Sequence, residues 1–456
     1  MTANRSAAER VQEALEKINQ IDRSGYKLNS VIATSSTALD EAREFDQDAQ
    51  DLPLDGQPIL IKDNIEVRGL PASAGSLALS GAPAQRDATL VSRLREAGAI
   101  IVGATNLSEW ANIRSSKSTS GWSGVGGLTA NPWIHHHNAG GSSSGSGAAV
   151  AAGLTPWAIG SETDGSIICP ASLNGTVGIK PSAGSIPFHG VIPISRNRDV
   201  PGPMTQTVSQ SAALLSVLLQ RSELHRPERD AFGLRVAVVK NWRTADSATN
   251  ALCDEAVRKF ATRVSNVSEI EISEPESSDS SDEFDVLLHE LVDDLAEYLA
   301  TRPNSPMKSL HDIVAFNEAN SERELQHFNQ DLFLKALELK GKSGLYKEKF
   351  DRNLKWAQST LDQGFAESDI LIGSTFAPAW ESNLTSGDTN IDATWICMAP
   401  AIAGYPIGTL PMGLVNGLPV GIGVVAKKGR EDQLLTAMIA LESALDLGVS
   451  KPTFIK

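Results

Sequence analysis

Hydrophobic positions along this chain follow two periods, and stretches of the two alternate. In residues 6–23, Val11, Leu15, Ile18 and Ile21 fall three or four apart, the spacing of one helix face. Residues 36–44 predict a second, shorter helix. The run Pro58-Ile-Leu-Ile-Lys62 is apolar until its final lysine, which predicts a short buried strand. Residues 88–97 read as a helix and 99–102 as a strand; an Ala-rich helix at 148–153 and an apolar segment at 155–159 repeat the alternation. This order predicts an α/β fold: a mixed, mostly parallel central sheet with helices on both faces. Residues 284–300 place Leu287, Leu291, Leu295 and Tyr298 on one face, and 307–340 keep the same period. Residues 241–363 are therefore expected to form a helical insertion over the substrate side of the sheet. Within it, the acidic, serine-rich stretch 265–285 is expected to be a mobile surface linker. A strand at 369–372, a strand–turn–strand across 403–426 and a helix at 432–445 close the chain. No internal repeat divides residues 1–456, which read as one large domain.

Composition narrows the classes. A hydrophobic content of 41% supports a sizeable core, and no apolar run reaches membrane-spanning length. No signal-peptide pattern opens the chain, so a soluble protein without a membrane partner is expected, cytoplasmic rather than periplasmic. A net charge of −15 argues against a nucleic-acid partner, which needs clustered Lys and Arg. Cys169, Cys253 and Cys397 are too scattered for a metal or disulfide framework. His135, His136 and His137 are adjacent, and no cysteine or carboxylate stands at ligand spacing from them in sequence. They are read as a polar loop, and neither metal nor organic cofactor is expected.

The candidate chemistry lies in residues 140–170, GGSSSGSGAAVAAGLTPWAIGSETDGSIICP. Two glycine–serine turns bracket the Ala-rich helix. Glycines flanking serines let backbone N–H groups converge on a small anion, which suits the oxyanion of acyl transfer. Gly141-Ser-Ser-Ser-Gly145 also matches the nucleophile elbow of α/β-hydrolases, with Ser143 as nucleophile. That motif requires an apolar strand just before it and a base histidine after it. Residues 133–138 are Trp-Ile-His-His-His-Asn, and no histidine follows His327. The other reading is a lysine-based site using Lys62, whose default role would be a surface residue with its stem buried.

Residues 140–170, together with PILIKDNI at 58–65, resemble the amidase signature family of serine amidases, and the similarity runs from about residue 10 to 445. The stretches SAGSLALSG (73–81), TNLSEWAN (105–112), SGWSGVGG (120–127), ETDGSIICPASLNGTVGIKPS (162–182) and DIVAFNEANSERELQHF (312–328) resemble its bacterial peptide-amidase branch. The resemblance implies that Ser166 is the nucleophile, Ser142 a proton relay entered through a cis peptide bond, and Lys62 the base. It implies an oxyanion hole from the backbone N–H groups of Thr163, Asp164, Gly165 and Ser166, with Ser143 supporting from behind. Lys62 must then be neutral at rest, which burial among Ile59, Leu60 and Ile61 would favour. The implied substrates are small amides or peptide amides: C-terminal peptide amides or N-acyl amino-acid amides releasing ammonia. Other linear or aryl amides are the alternative, as is service as the amidase subunit of a tRNA-dependent amidotransferase. Monomer and homodimer are both compatible. The chain departs from the family pattern at Asp164-Gly165, where Gly-Gly is common, at Ile168, where Arg is common, and at Asn197-Arg-Asp-Val200.

Overall fold

The computed structural model describes residues 5–48, 51–228, 230–449 and 451–453. An eleven-stranded sheet forms its centre, and thirteen strands occur in chain order among the described residues. These are β1 (Val31–Thr34), β2 (Pro58–Lys62), β3 (Ile100–Thr105), β4 (Trp122–Ser123), β5 (Gly127–Leu128), β6 (Trp157–Glu162), β7 (Val177–Lys180), β8 (Val200–Thr205), β9 (Arg235–Val239), β10 (Asn266–Ile270), β11 (Ile370–Ser374), β12 (Ile407–Val415) and β13 (Leu418–Ala426). β4 and β5 pair only with each other; the large sheet runs β1-β3-β2-β6-β8-β7-β12-β13-β11-β9-β10.

The sheet is mixed, and helices cover both its faces. The expected parallel pairing is confined to two wings, β3-β2-β6 and β11-β9-β10. Between the wings the ladders are antiparallel. One cause is local: Asn416 and Gly417 both adopt positive φ, the geometry of a tight hairpin turn, so β12 and β13 must run antiparallel.

Alternation along β2 sorts its side chains. Ile59 and Ile61 join a core with Leu90, Val91, Leu94 and Leu214 on one face. Leu60 packs on the other face with Val11, Ala148 and Ala149. Lys62 has the parity of Leu60 and so points toward the helix Ser144–Ala151. The first predicted helix is α-helical over Ala7–Lys17, with Ser6 and Glu9 closing a capping box, and continues as a π-helical turn over Ile18–Ser24.

Two expectations for residues 241–363 need correction. The helix Ser247–Phe260 buries Cys253, Ala256 and Phe260 against the sheet, and β10 is an edge strand of that sheet. The helical layer proper comprises Ser277–Ala300, Leu310–Ala319, Ser321–Glu324, Asp331–Lys340 and Ser343–Gly364. The stretch 265–285 is no linker: it contains β10 and the first turns of the helix Ser277–Ala300. Glu276 and Asp279 stand at the helix N-terminus, where the backbone dipole favours negative charge, and acidic residues further along find cations. Asp282 binds Arg352 at 2.6 Å, and Glu283 binds the buried Arg198 at 2.9 Å.

The predicted stripe Leu287, Leu291, Leu295 and Tyr298 is buried against Ile192, Ile194, Trp110 and Phe333. This apolar seam holds the helical layer over the sheet's end. Leu291 is fully buried in it, so Leu291→Ala is expected to lower stability by about 2–5 kcal/mol in chemical denaturation.

Candidate active site

β2 and β6 are parallel neighbours, so Lys62 and Ser161 meet at the carboxyl end of the pair. Open α/β sheets commonly place their sites at such strand ends. Ser142 arrives from the other side, just before the helix Ser144–Ala151. The peptide bond Gly141–Ser142 is cis.

Lys62 is fully buried, and its Nζ lies 2.8 Å from Ser142 Oγ, 3.0 Å from Ser161 Oγ and 3.1 Å from the Ser161 carbonyl oxygen. Among the described residues it forms no ion pair. Burial pushes the amine down to about 7, against the pull of the Asp199 and Glu162 carboxylates. The default reading of Lys62 as a surface residue therefore fails. A neutral amine offers two N–H donors and one lone pair. With both hydrogens directed to the Ser161 oxygens, the lone pair is free to accept from the Ser142 hydroxyl.

Ser166 lies on the turn that follows β6, and its backbone carbonyl accepts a hydrogen bond from Ser143 N at 3.1 Å. The two serine loops are thus in direct contact. Ser142 is buried, whereas Ser166 is partly exposed, and among the described residues the Ser166 hydroxyl has no partner. Glu162 shapes the turn: its Oε2 accepts from Ile167 N at 2.7 Å and Ile168 N at 3.0 Å. The backbone N–H groups of Thr163, Asp164, Gly165 and Ser166 make no hydrogen bond within the described residues. Gly165 holds φ +73°, a region where a side chain would be strained. The Thr163 hydroxyl donates to Asp199 at 2.5 Å, and Asp199 also accepts from Ile194 N and Ser195 N.

The elbow reading of Ser143 finds no support. Residues 133–138 form no strand, and Ser143 is fully buried. Its hydroxyl donates to the Ser161 carbonyl at 3.0 Å and accepts from Ser161 N at 3.2 Å, tying the helix start to β6. Cys169 and Cys397 are buried close to the glycines of both turns, and burial raises both thiols above their ordinary value. Ile168 is fully buried in an apolar cluster with Trp242 and Ile396. Arg198 is buried between Glu283 and Asn353.

Sequence reading does not single out Ser161 or Glu162, nor Asn64 individually. Asn64 Nδ2 donates to Ser161 Oγ at 2.9 Å and so fixes the hydroxyl that faces Lys62. Asn64 is visible within the Lys-Asp-Asn run. Ser161 carries no signal, since one serine at a strand end has many uses.

A buried lysine beside two glycine–serine turns and a row of backbone donors without internal partners among the described residues is an arrangement suited to amide hydrolysis. The chain belongs to the amidase family, whose model matches residues 9–435. It is an amide hydrolase. The native peptide amidase of Stenotrophomonas maltophilia superposes with a TM-score of 0.91 at 36% identity, covering 99% of this chain and 96% of that one. The mandelamide hydrolase of Pseudomonas putida is 33% identical over 92% of this chain and 86% of its own length. One component of the glutamyl-tRNA(Gln) amidotransferase of Methanococcoides burtonii is 30% identical over 98% of this chain and 96% of its own.

The helix carrying the first serine turn packs too closely for any side chain at Gly145. A Cβ there would lie 2.3 Å from the Ser30 carbonyl oxygen and 2.6 Å from Asn106 N and O. All three are backbone atoms and cannot swing aside. Gly145→Ala is expected to destabilise the protein by about 2–3 kcal/mol, read as a lowered thermal midpoint.

Proposed function

We propose that this protein removes ammonia from C-terminal peptide amides or N-acyl amino-acid amides, using Ser166, Ser142 and Lys62. The observation that carries the reading is the 2.8 Å contact between a buried, readily deprotonated Lys62 and Ser142. Ser166 Oγ, unpartnered among the described residues, turns to Ser142 Oγ as it attacks the amide carbon; its proton passes to Ser142 Oγ as the Ser142 proton passes to Lys62 Nζ. The oxyanion that forms faces the N–H groups of Thr163 to Ser166, whose lack of internal partners leaves them available. The relay then reverses, the leaving nitrogen takes the proton, and ammonia departs. Water repeats the sequence on the acyl-enzyme, releasing the acid and restoring both hydroxyls.

The peptide-amide preference rests on similarity to the peptide amidase over nearly the whole of both chains. Likeness to the mandelamide hydrolase and to the amidotransferase component supports the two alternatives. A fluorophosphonate should label Ser166, and Ser166→Ala should abolish labelling. Ammonia release from peptide amides, mandelamide and glutamine should favour the peptide amides. Labelling at Ser143, or glutaminase activity only with added partner proteins, would overturn the reading.

Acting as a base, Lys62 must lose its proton first. The rate constant kcat/KM should therefore rise with pH, reach half its plateau near about 7, and fall about tenfold per pH unit well below that. Lys62→Met should remain folded and lose the activity. A profile flat between about pH 5 and 9 would contradict a lysine base.

A further inference from the structure

In sequence the three adjacent histidines read as a polar loop, because adjacent side chains do not easily turn to one ion and no carboxylate stands at ligand spacing. The fold supplies one. Glu381 comes alongside His137 in an isolated antiparallel bridge, and its backbone neighbours lock the pairing. Asn138 N donates to the Trp380 carbonyl at 2.7 Å, and Ser382 N donates to the His136 carbonyl at 3.0 Å. One donor atom each from His136, His137 and Glu381 lies within 4.8 Å of the other two. His136 Nε2 and Glu381 Oε1 are 3.7 Å apart.

We infer that His136, His137 and Glu381 form a binding site for a divalent transition cation, Zn2+ being the one their chemistry suits. Two imidazoles and a carboxylate are a common three-donor set for zinc, with a fourth position left to water. Donors on a tetrahedral ion with bonds of about 2.0 Å lie roughly 3.3 Å apart, so these three need only side-chain adjustment. His136 and Glu381 are exposed and free to make it. His137 is half-buried, and its Nδ1 is enclosed without a hydrogen-bond partner, a lone nitrogen that a cation would satisfy. His135 takes no part: its ring lies edge-on against Tyr26, 4.9 Å between centroids.

The position gives the ion a consequence. Asn138 follows His137, and its Oδ1 accepts from Gly140 N at 2.7 Å, at the start of the Ser142 turn. Asp388, on the segment that carries Glu381, accepts from Ser120 N at 2.9 Å. A bound cation would therefore add a side-chain tie to the backbone pairing that already holds the loop entering the first serine turn against residues 380–382.

Calorimetric titration of tag-free protein with zinc chloride tests this. The wild type should bind one Zn2+ with a micromolar Kd. His137→Ala and Glu381→Gln should each weaken binding at least about tenfold, while His135→Ala should change it by less than about twofold. Amide hydrolysis without zinc should be unaltered in all three variants, which shows them folded. Absence of saturable binding up to about 0.1 mM would overturn the proposal, as would unchanged affinity in both ligand variants or loss confined to His135→Ala.

Discussion

A primary amine enclosed by protein and touching a hydroxyl is the constraint around which this molecule is arranged. Water would keep that amine charged, and a charged amine cannot accept a proton. Lys62 avoids this by ending a strand buried on both faces. Its three polar contacts serve either protonation state. The neutral amine gives two hydrogens to the Ser161 oxygens and accepts from Ser142; the ammonium gives one hydrogen to each of the same three oxygens. A proton can therefore arrive and leave without movement of a heavy atom, and the buried nitrogen is satisfied throughout.

Such an arrangement needs precise framing from distant segments. Parallel pairing of β2 with β6 aligns Lys62 with Ser161. The helix Ser144–Ala151 must lie close enough for Ser142 to reach the amine, and Gly145 and Gly147 permit it. At Gly147 an added Cβ would sit 3.0 Å from the Pro170 carbonyl oxygen. The helical layer reaches the same region through a different interaction. Arg198 and Glu283 bind across it beside Asp199, whose carboxylate holds Thr163. A single substitution in that layer can thus be felt at the 163–166 turn without touching it.

The sequence made the chemistry of the site legible more fully than the architecture. Lys62, Ser142 and Ser166 lie in short segments that the family resemblance picks out, and the structure brings Lys62 Nζ to 2.8 Å from Ser142 Oγ. Helix periodicity is equally local, and the Leu287–Leu291–Leu295–Tyr298 stripe is buried as expected. Strand pairing is decided by partners far along the chain, so the strand–turn–strand across 403–426 is foreseen but the antiparallel ladders of β8 with β6 and β7 are not. Composition misleads at 265–285, because acidic residues that look solvating in isolation meet Arg198, Lys349 and Arg352 after folding. The Glu381 carboxylate beside His137 is hidden for the same reason. Ser161 is illegible because its role comes entirely from facing Lys62 across two strands.

The carboxylates near the amine raise the last question of balance. Glu162 and Asp199 both pull the Lys62 proton back, and a direct ion pair with either would hold the lysine charged. Among the described residues neither carboxylate forms an ion pair with the amine, although Glu162 Oε1 is buried without a hydrogen-bond partner. One Glu162 oxygen receives two backbone N–H groups at the start of the helix Ile168–Asn174, where the helix dipole also favours negative charge. Asp199 receives the Thr163 hydroxyl and two backbone N–H groups. These bonds anchor both ends of the 163–166 turn, whose N–H groups have no partners among the described residues. Burial sets the basicity of Lys62 and these hydrogen bonds anchor the turn, so a change at Glu162 or Asp199 acts on both, through the charge near the amine and through the anchors of the turn.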